Sequence, residues 1–270
     1  MDDSSLSKSA RARLLGVARS TLYYTKTQPG RDWKLKCAIE DVLRSHPSYG
    51  HRRIAIALGR KDERPVLRVM KLFGIKAYRR RGRRWKKPRK QGVEYPNLLM
   101  GMPPLREHDV WVADFTYLPW HGDTVYVATV MDVYTRRILG VSVLLTHATV
   151  LVMQALWSAL LAHPHPRIFH SDNGVEYNAI AFRDVLTNLG IVISRSKKGC
   201  PWENGYQESF YDKFKVELGD PNRFDTLGVL VAEIYRQTHY YNTERIHTAF
   251  NMPPSVFAQL RVAATMQAIV

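Results

Sequence analysis

Residues 110–145 read VWVADFTYLPWHGDTVYVATVMDVYTRRILGVSVLL. Three runs rich in β-branched and aromatic residues, 110–120, 123–135 and 137–145, are separated by turn residues at His121, Gly122 and Arg136. That composition favours strands. Connections this short make consecutive strands antiparallel, so the stretch predicts a three-stranded meander. Downstream, TVLVMQALWSALLA (149–162) reads as a buried helix, RIFHSD (167–172) as a strand, AIAFRDVLTNLG (179–190) as a helix and IVISRS (191–196) as a strand. The order βββαβαβα predicts an α/β fold, a mixed five-stranded sheet flanked by helices. Two further helices follow at ENGYQESFYDKFKVEL (203–218) and at 226–242.

Upstream the pattern is helical. Residues 1–33 contain ARARLLGVARSTLYY, which reads as part of a helix-turn-helix or as an N-terminal helical arm that packs on the core. Residues 34–77 read as a small helical domain. KLKCAIEDVLRS (34–45) forms an amphipathic stripe from Leu35, Ile39, Val42 and Leu43, and His46, Pro47 and Ser48 end it. YGHRRIAIALG and ERPVLRVMKLFGI give two shorter helices that close near glycines. Residues 78–105 read as a basic linker, and 106–270 as the core with its C-terminal helices.

Charge divides the chain in the same way. Residues 1–100 hold 26 Lys and Arg against 8 Asp and Glu, whereas residues 101–270 hold 14 against 16. Confinement of +18 to one half points to a polyanionic partner rather than to a solvated surface. The densest run, YRRRGRRWKKPRK (78–90), has nine basic residues in thirteen. It has nothing to bury and repels itself, so Arg79, Arg80, Arg81, Arg83, Arg84, Lys86 and Lys87 read as phosphate contacts on an arm. No uncharged apolar run reaches the ~18 residues of a membrane span, and nothing at the N-terminus resembles a signal peptide. A soluble, intracellular protein is expected. Cys37 and Cys200 fit no zinc or disulfide pattern and read as free thiols.

Three carboxylates stand out. Asp114 lies inside a strand otherwise made of core residues, where an unpaired charge is costly. Asp172 sits at the carboxyl end of a strand, where open α/β sheets usually place their chemistry. Glu208 lies near the start of a helix, with Asn204 and Lys215 on its face. Singly, Asp172 in S-D-N-G reads as a turn residue and Glu208 as a surface carboxylate. Together they form a set able to hold two divalent ions about 4 Å apart, one activating an attacking oxygen and one stabilising the leaving oxygen. Magnesium or manganese suits such a set.

Taken in order, WVADFTYLP, MDVYTRRILG, FHSDNGVEY, SRSKKGCPWENGYQESFYDKFKVEL and YYNTERIHTAFNMPPSVF resemble the integrase-like core of bacterial insertion-sequence transposases. The resemblance is closest to the product of the second of two overlapping reading frames. HPSYGHRRIAIALG and RVMKLFGI resemble that group's helical domain. Thirty-five residues lie between Asp172 and Glu208, the interval typical of this family and of retroviral integrases. The resemblance implies an RNase H-like fold and a metal-dependent polynucleotidyl transferase with Asp114, Asp172 and Glu208 as catalytic metal ligands. It also implies double-stranded DNA, as transposon ends and target, as the partner. An assembly of two or more chains is expected, with a first-reading-frame product as a further partner. The rival readings are an RNase H-like nuclease, which uses water as nucleophile, and a non-catalytic DNA-binding derivative.

The chain departs from its relatives at Glu203-Asn204, where they carry an Asp-Asn pair, so Glu203 is a decoy carboxylate. Asp132 is a second decoy, expected to pair with a nearby arginine. Arg195, Lys197 and Lys198, in the loop before the catalytic helix, read as phosphate clamps, and Lys215 as a backbone contact. Arg52 and Arg53 read as DNA contacts, and Tyr49 as either a contact or a cap on the helical core. His170 reads as a packed supporting group rather than a general base.

Overall fold

The computed structural model describes residues 7–23, 27–78, 95–100, 104–197 and 200–267. The chain opens on α1 (Lys8–Leu14), capped by the Ser7 hydroxyl accepting from the Ala10 amide, and a 3-10 segment follows at Arg19–Tyr23. Among the described residues, the partial helix-turn-helix is one short helix followed by a 3-10 turn. α2 runs Gln28–Ser45 and has Pro29 in its first turn, where a missing N–H is no loss. It starts well before residue 34, so the boundary expected between 33 and 34 falls inside a helix. α3 (His51–Ala57) and α4 (Arg64–Leu72) complete the unit. Its core is Leu35, Ile39, Tyr49, Ile54, Val66 and Val69.

Only the ends of the expected linker are described, and both are hydrogen-bonded to the folded parts. The Tyr78 amide donates to Pro47 O at 3.1 Å, and Pro96 O accepts from the Arg195 amide at 3.2 Å. Leu98 and Leu99 lie against the sheet. The arm cations Arg79, Arg80, Arg81, Arg83, Arg84, Lys86 and Lys87 fall outside the described residues.

The meander forms as expected from β1 (Val110–Trp120), β2 (Asp123–Asp132) and β3 (Ile138–Leu144). Its turn residues adopt positive φ, 45° at His121, 89° at Gly122 and 63° at Arg136. β4 (Ile168–Ser171) and β5 (Val192–Arg195) add in parallel, giving the order β3-β2-β1-β4-β5. This is the RNase H-like arrangement that the resemblance implied. The helices are α5 (Thr149–Ala162), α6 (Val175–Asn178), α7 (Ile180–Asn188), α8 (Gly205–Leu218), α9 (Leu227–Thr243) and α10 (Pro254–Gln267).

Strand alternation divides the core into two layers. Val110 and Val112 pack with Phe210, Phe214 and Ile234 of α8 and α9. Trp111 and Ala113 pack with Leu151, Leu156 and Phe182 of α5 and α7. Gly140 sets the spacing of the second layer, since a Cβ there would lie 2.1 Å from Ala155 O.

Asp132 departs from expectation. It is fully buried, and its oxygens accept from the His108 amide, the Thr135 amide and the Thr135 hydroxyl rather than pairing with an arginine. Position in the turn decides this, because the backbone amides lie closer than any guanidinium needs to come. Tyr49 is also buried, its hydroxyl accepting from the Ile246 amide at 2.9 Å, so it belongs to the core and not to a DNA surface. Arg53 Nε donates to Ile246 O at 2.9 Å, and exposed Arg52 pairs with Glu63 at 3.3 Å. The helical unit is thereby fastened to the chain beyond α9. Cys37 and Cys200 are free, as expected.

Candidate active site

β1 is the central strand and outruns its parallel neighbour. Pairing with β4 covers Val110–Ile168 to Val112–His170, and the same register carried two residues on sets Asp114 beside Asp172. Both share the parity of Val112 and His170, which places them on the sheet face covered by α8. Asp114 is half-buried, and its Oδ1 accepts from the Phe115 amide at 2.8 Å. Asp172 Oδ1 accepts from the Gly174 amide at 2.9 Å, which fixes the turn after β4.

α8 is held over this point by polar side chains spaced along one face. Asn204 Nδ2 donates to Ala113 O at 3.1 Å, Gln207 Nε2 to Val112 O at 2.7 Å and the Tyr211 hydroxyl to Asp114 O at 2.8 Å. Burying Gln207 and Tyr211 is tolerable because sheet carbonyls take up their donors. The sequence reading had no role for Gln207 and Tyr211, although their helical spacing with Asn204 was visible. Glu208, next to Gln207, is turned outward and exposed.

The electrostatics are those of a site wanting a cation. Burial pushes the Asp114 carboxyl up to about 8, and the Asp172 and Glu208 charges add to it; the Phe115 amide and Lys215 oppose. Burial also raises Asp172, with Glu176 adding, and it raises Glu208, with Asp212 adding. A hard oxygen set held above its ordinary range fits a divalent metal, which displaces the protons. Among the described residues, no three such groups gather closely enough to hold one ion. Asp114 and Asp172 are brought together, and Glu208 stands apart on its helix.

The remaining expectations divide. Glu203 is tied down, its Oε2 accepting from the Asn97 amide group and the Lys197 backbone amide, each at 2.8 Å. His170 is buried, joined to the Ser194 hydroxyl at 2.8 Å, and held neutral with its pKa near 4 mainly by desolvation. Lys215 places its ammonium 5.0 Å from the centre of the Tyr117 ring and its charge acts on Asp114. The Lys197 residue is exposed, and Lys198 lies outside the described residues. Arg195 is the correction. It ends β5 fully buried, with one guanidinium nitrogen donating to Tyr177 O at 2.8 Å. It cannot clamp a phosphate from there, and its charge instead offsets a little of the rise that burial imposes on the Asp172 carboxyl.

Two family profiles, each described as integrase core domain, match residues 104–201 and 189–254. The transposase for insertion sequence element IS904 of Lactococcus lactis is 32% identical over 226 residues, covering 79% of this chain and 88% of that protein. The chain belongs to the insertion-sequence transposases. The putative transposase InsK for IS150 of Escherichia coli is 27% identical over 248 residues, covering 87% of each. A simian T-cell lymphotropic virus intasome, solved with a PP2A regulatory subunit, shares the fold at 16% identity and a TM-score of 0.50, over 78% of this chain and 71% of that one. The transposase is thus a DDE-type polynucleotidyl transferase of the retroviral integrase superfamily. Its integrase-like core implies dependence on divalent metal, and no helix among the described residues is long and apolar enough to cross a membrane.

The raised carboxyl has a measurable cost in the metal-free transposase. Asp114 holds a proton in the folded state up to about pH 8, whereas the unfolded chain releases it near 3.8. Its stabilising contribution is therefore complete below about pH 4 and lost as pH rises through about 8. In chelator, Asp114→Asn should gain stability over wild type across that window, by about 2 kcal/mol at its upper end, at ~1.4 kcal/mol per unit with a discount for hydration. Thermal melts of both proteins between those limits check this, and parallel curves would show that the carboxyl is not perturbed.

Proposed function

We propose that Asp114, Asp172 and Glu208 are the catalytic metal ligands with which this transposase cuts at the ends of its element and joins the exposed 3′ hydroxyl to target DNA. The juxtaposition of Asp114 and Asp172 across β1 and β4, under the helix that carries Glu208, supports the reading most strongly. Two magnesium or manganese ions would supply charge neutralisation at the attacking and leaving oxygens. Asp114 and Asp172 would hold them from the sheet, and Glu208 would complete the set once DNA engages α8. Gln207 and Tyr211 fix the helix against the strand. His170, neutral and enclosed, supports β4 and moves no proton.

The basic arm from Arg79 to Lys87, with Lys197, Lys198 and Lys215, would follow the phosphate backbone. Two ends must be brought together, which calls for a dimer or larger assembly, with a first-reading-frame product as a candidate partner. The reaction takes place on nucleoid DNA in the cytoplasm.

A duplex of the element's own end, pre-cut to a 3′ hydroxyl and mixed with a second duplex and magnesium, tests this reading. Joined products are expected. Hydrolysis without joining would make the protein a nuclease, and absence of both would make it a DNA-binding derivative.

A further inference from the structure

Away from the carboxylates, cationic side chains crowd the seam where α3 meets α8 and the chain after α9. A cleft of about 140 Å³ there is lined by Arg53, Arg136, Lys213, Arg245 and His247, and no carboxylate lines it. Arg245 is neutralised by Glu217 at 2.8 Å, and Arg53 Nε meets only the uncharged Ile246 carbonyl. Arg136 is different. Its guanidinium carbon lies 4.0 Å from the centre of the Tyr206 ring, its backbone is set in the β2–β3 turn at φ 63°, and its Nη1 is buried without a hydrogen-bond partner. A buried charged donor left unpaired is unfavourable. The nearby His247 shows the uncompensated field, its pKa lowered to about 4 by burial and then by Arg136, Arg53 and Arg245.

We propose that this cleft binds a backbone phosphate of the DNA strand, flanking the bond that is cut. The inference rests on the transposase reading above and adds a contact to it. A phosphate oxygen offers only acceptors, which suits a fixed guanidinium fork. Gly205 and Tyr206 bring it to the first turn of α8, which also carries Glu208 and where helix amides favour an anion as well. A single free phosphate would need no more than this cleft. Here it adjoins a larger one of about 430 Å³ that shares Arg53 and Lys213 and adds His51 and Arg52, with Asp212 the carboxylate on its wall. Successive phosphates along one strand explain two linked cationic clefts better than one small ion does.

The test is binding of the full chain to a mixed-sequence duplex in chelator, across a range of salt. Arg136→Asn removes the fork while tolerating the positive φ, since Asn enters the left-handed region readily. Exposed Arg236, paired with Glu233 at 2.6 Å, gives the control Arg236→Gln. Arg136→Asn should weaken binding about tenfold and flatten the salt slope by about 0.9, one phosphate's worth. Arg136→Lys should restore the slope and only part of the affinity, which a folding defect would not do. Affinity and slope in Arg136→Asn equal to the control would overturn the proposal. So would inorganic phosphate raising the melting temperature of wild type but not of Arg136→Asn while duplex binding is unchanged, because that assigns a free-phosphate site. No cleavage is involved, so an inactive Asp114→Asn protein should bind with the wild-type slope whatever the catalytic carboxylates prove to be. Failure of wild type to bind duplex at all would remove this proposal together with the transposase reading.

Discussion

Asparagine at Asp114 or Asp172, or glutamine at Glu208, is expected to lower end cleavage and joining by roughly a thousandfold or more, the scale of losing a main electrostatic stabiliser of the transition state. Duplex affinity in chelator should hardly change, since none of the three is a phosphate contact. Glu203→Gln is the contrasting variant. Its Oε2 accepts from Asn97 and from the Lys197 amide, and a glutamine carbonyl oxygen in that place can accept both. Activity should stay within about tenfold of wild type. Timed cleavage and joining assays on all four proteins decide between the two glutamates. Activity retained in Glu208→Gln and lost in Glu203→Gln would move the third ligand into the 3-10 segment that precedes α8.

Loss of Glu217 should be the most destabilising single change of charge in the molecule. Glu217, in the last turn of α8, pairs with Arg245 at 2.8 and 3.1 Å, and the two side chains are only 5% and 2% exposed. Ser48, from the turn after α2, donates to Glu217 and accepts from Arg245. One ion pair therefore joins the helical unit, the α8 helix and the chain after α9. Glu217→Ala would leave the Arg245 guanidinium buried and unpaired, at a cost of about 3–5 kcal/mol. For a chain of this size the melting temperature should fall by roughly 10 °C. Replacing both residues by methionine should recover most of the loss, since an apolar pair of similar volume is often neutral. A drop of only a degree or two in Glu217→Ala would show that water reaches the pair.

Local pattern carried much of this fold into the sequence. Composition in 110–145 exposed the meander, because strands that bury both faces are filled by β-branched and aromatic residues and only short turns separate them. The two aspartates were legible because strand ends and unpaired charges in apolar runs are local features. Arg195 was misread as a phosphate clamp although it closes the run read as a strand at 191–196, because burial of that strand end between β4 and the chain around Tyr177 is not a local feature. Asp132 was misread because an adjacent Arg136-Arg137 pair suggests a salt bridge, while the turn geometry supplies amides first. The Glu217–Arg245–Ser48 junction left no trace in the sequence, as its members lie up to 197 positions apart and meet only after the helical unit docks. Arg53 was read as a DNA contact, but its gathering with Arg136, Lys213, Arg245 and His247 was invisible for the same reason. Arg136 looked like a turn residue until Tyr206 was seen beneath it.

The role of Asp114 and Asp172 is tested most directly by locating bound metal. A crystal of the transposase with duplex DNA, soaked in manganese, should show anomalous density between the two carboxylates. Oxygen ligands should lie at about 2.1 Å, with Glu208 drawn in as a third donor. Carboxylates directed into separate regions, with no ion between them at saturating manganese, would contradict the assignment.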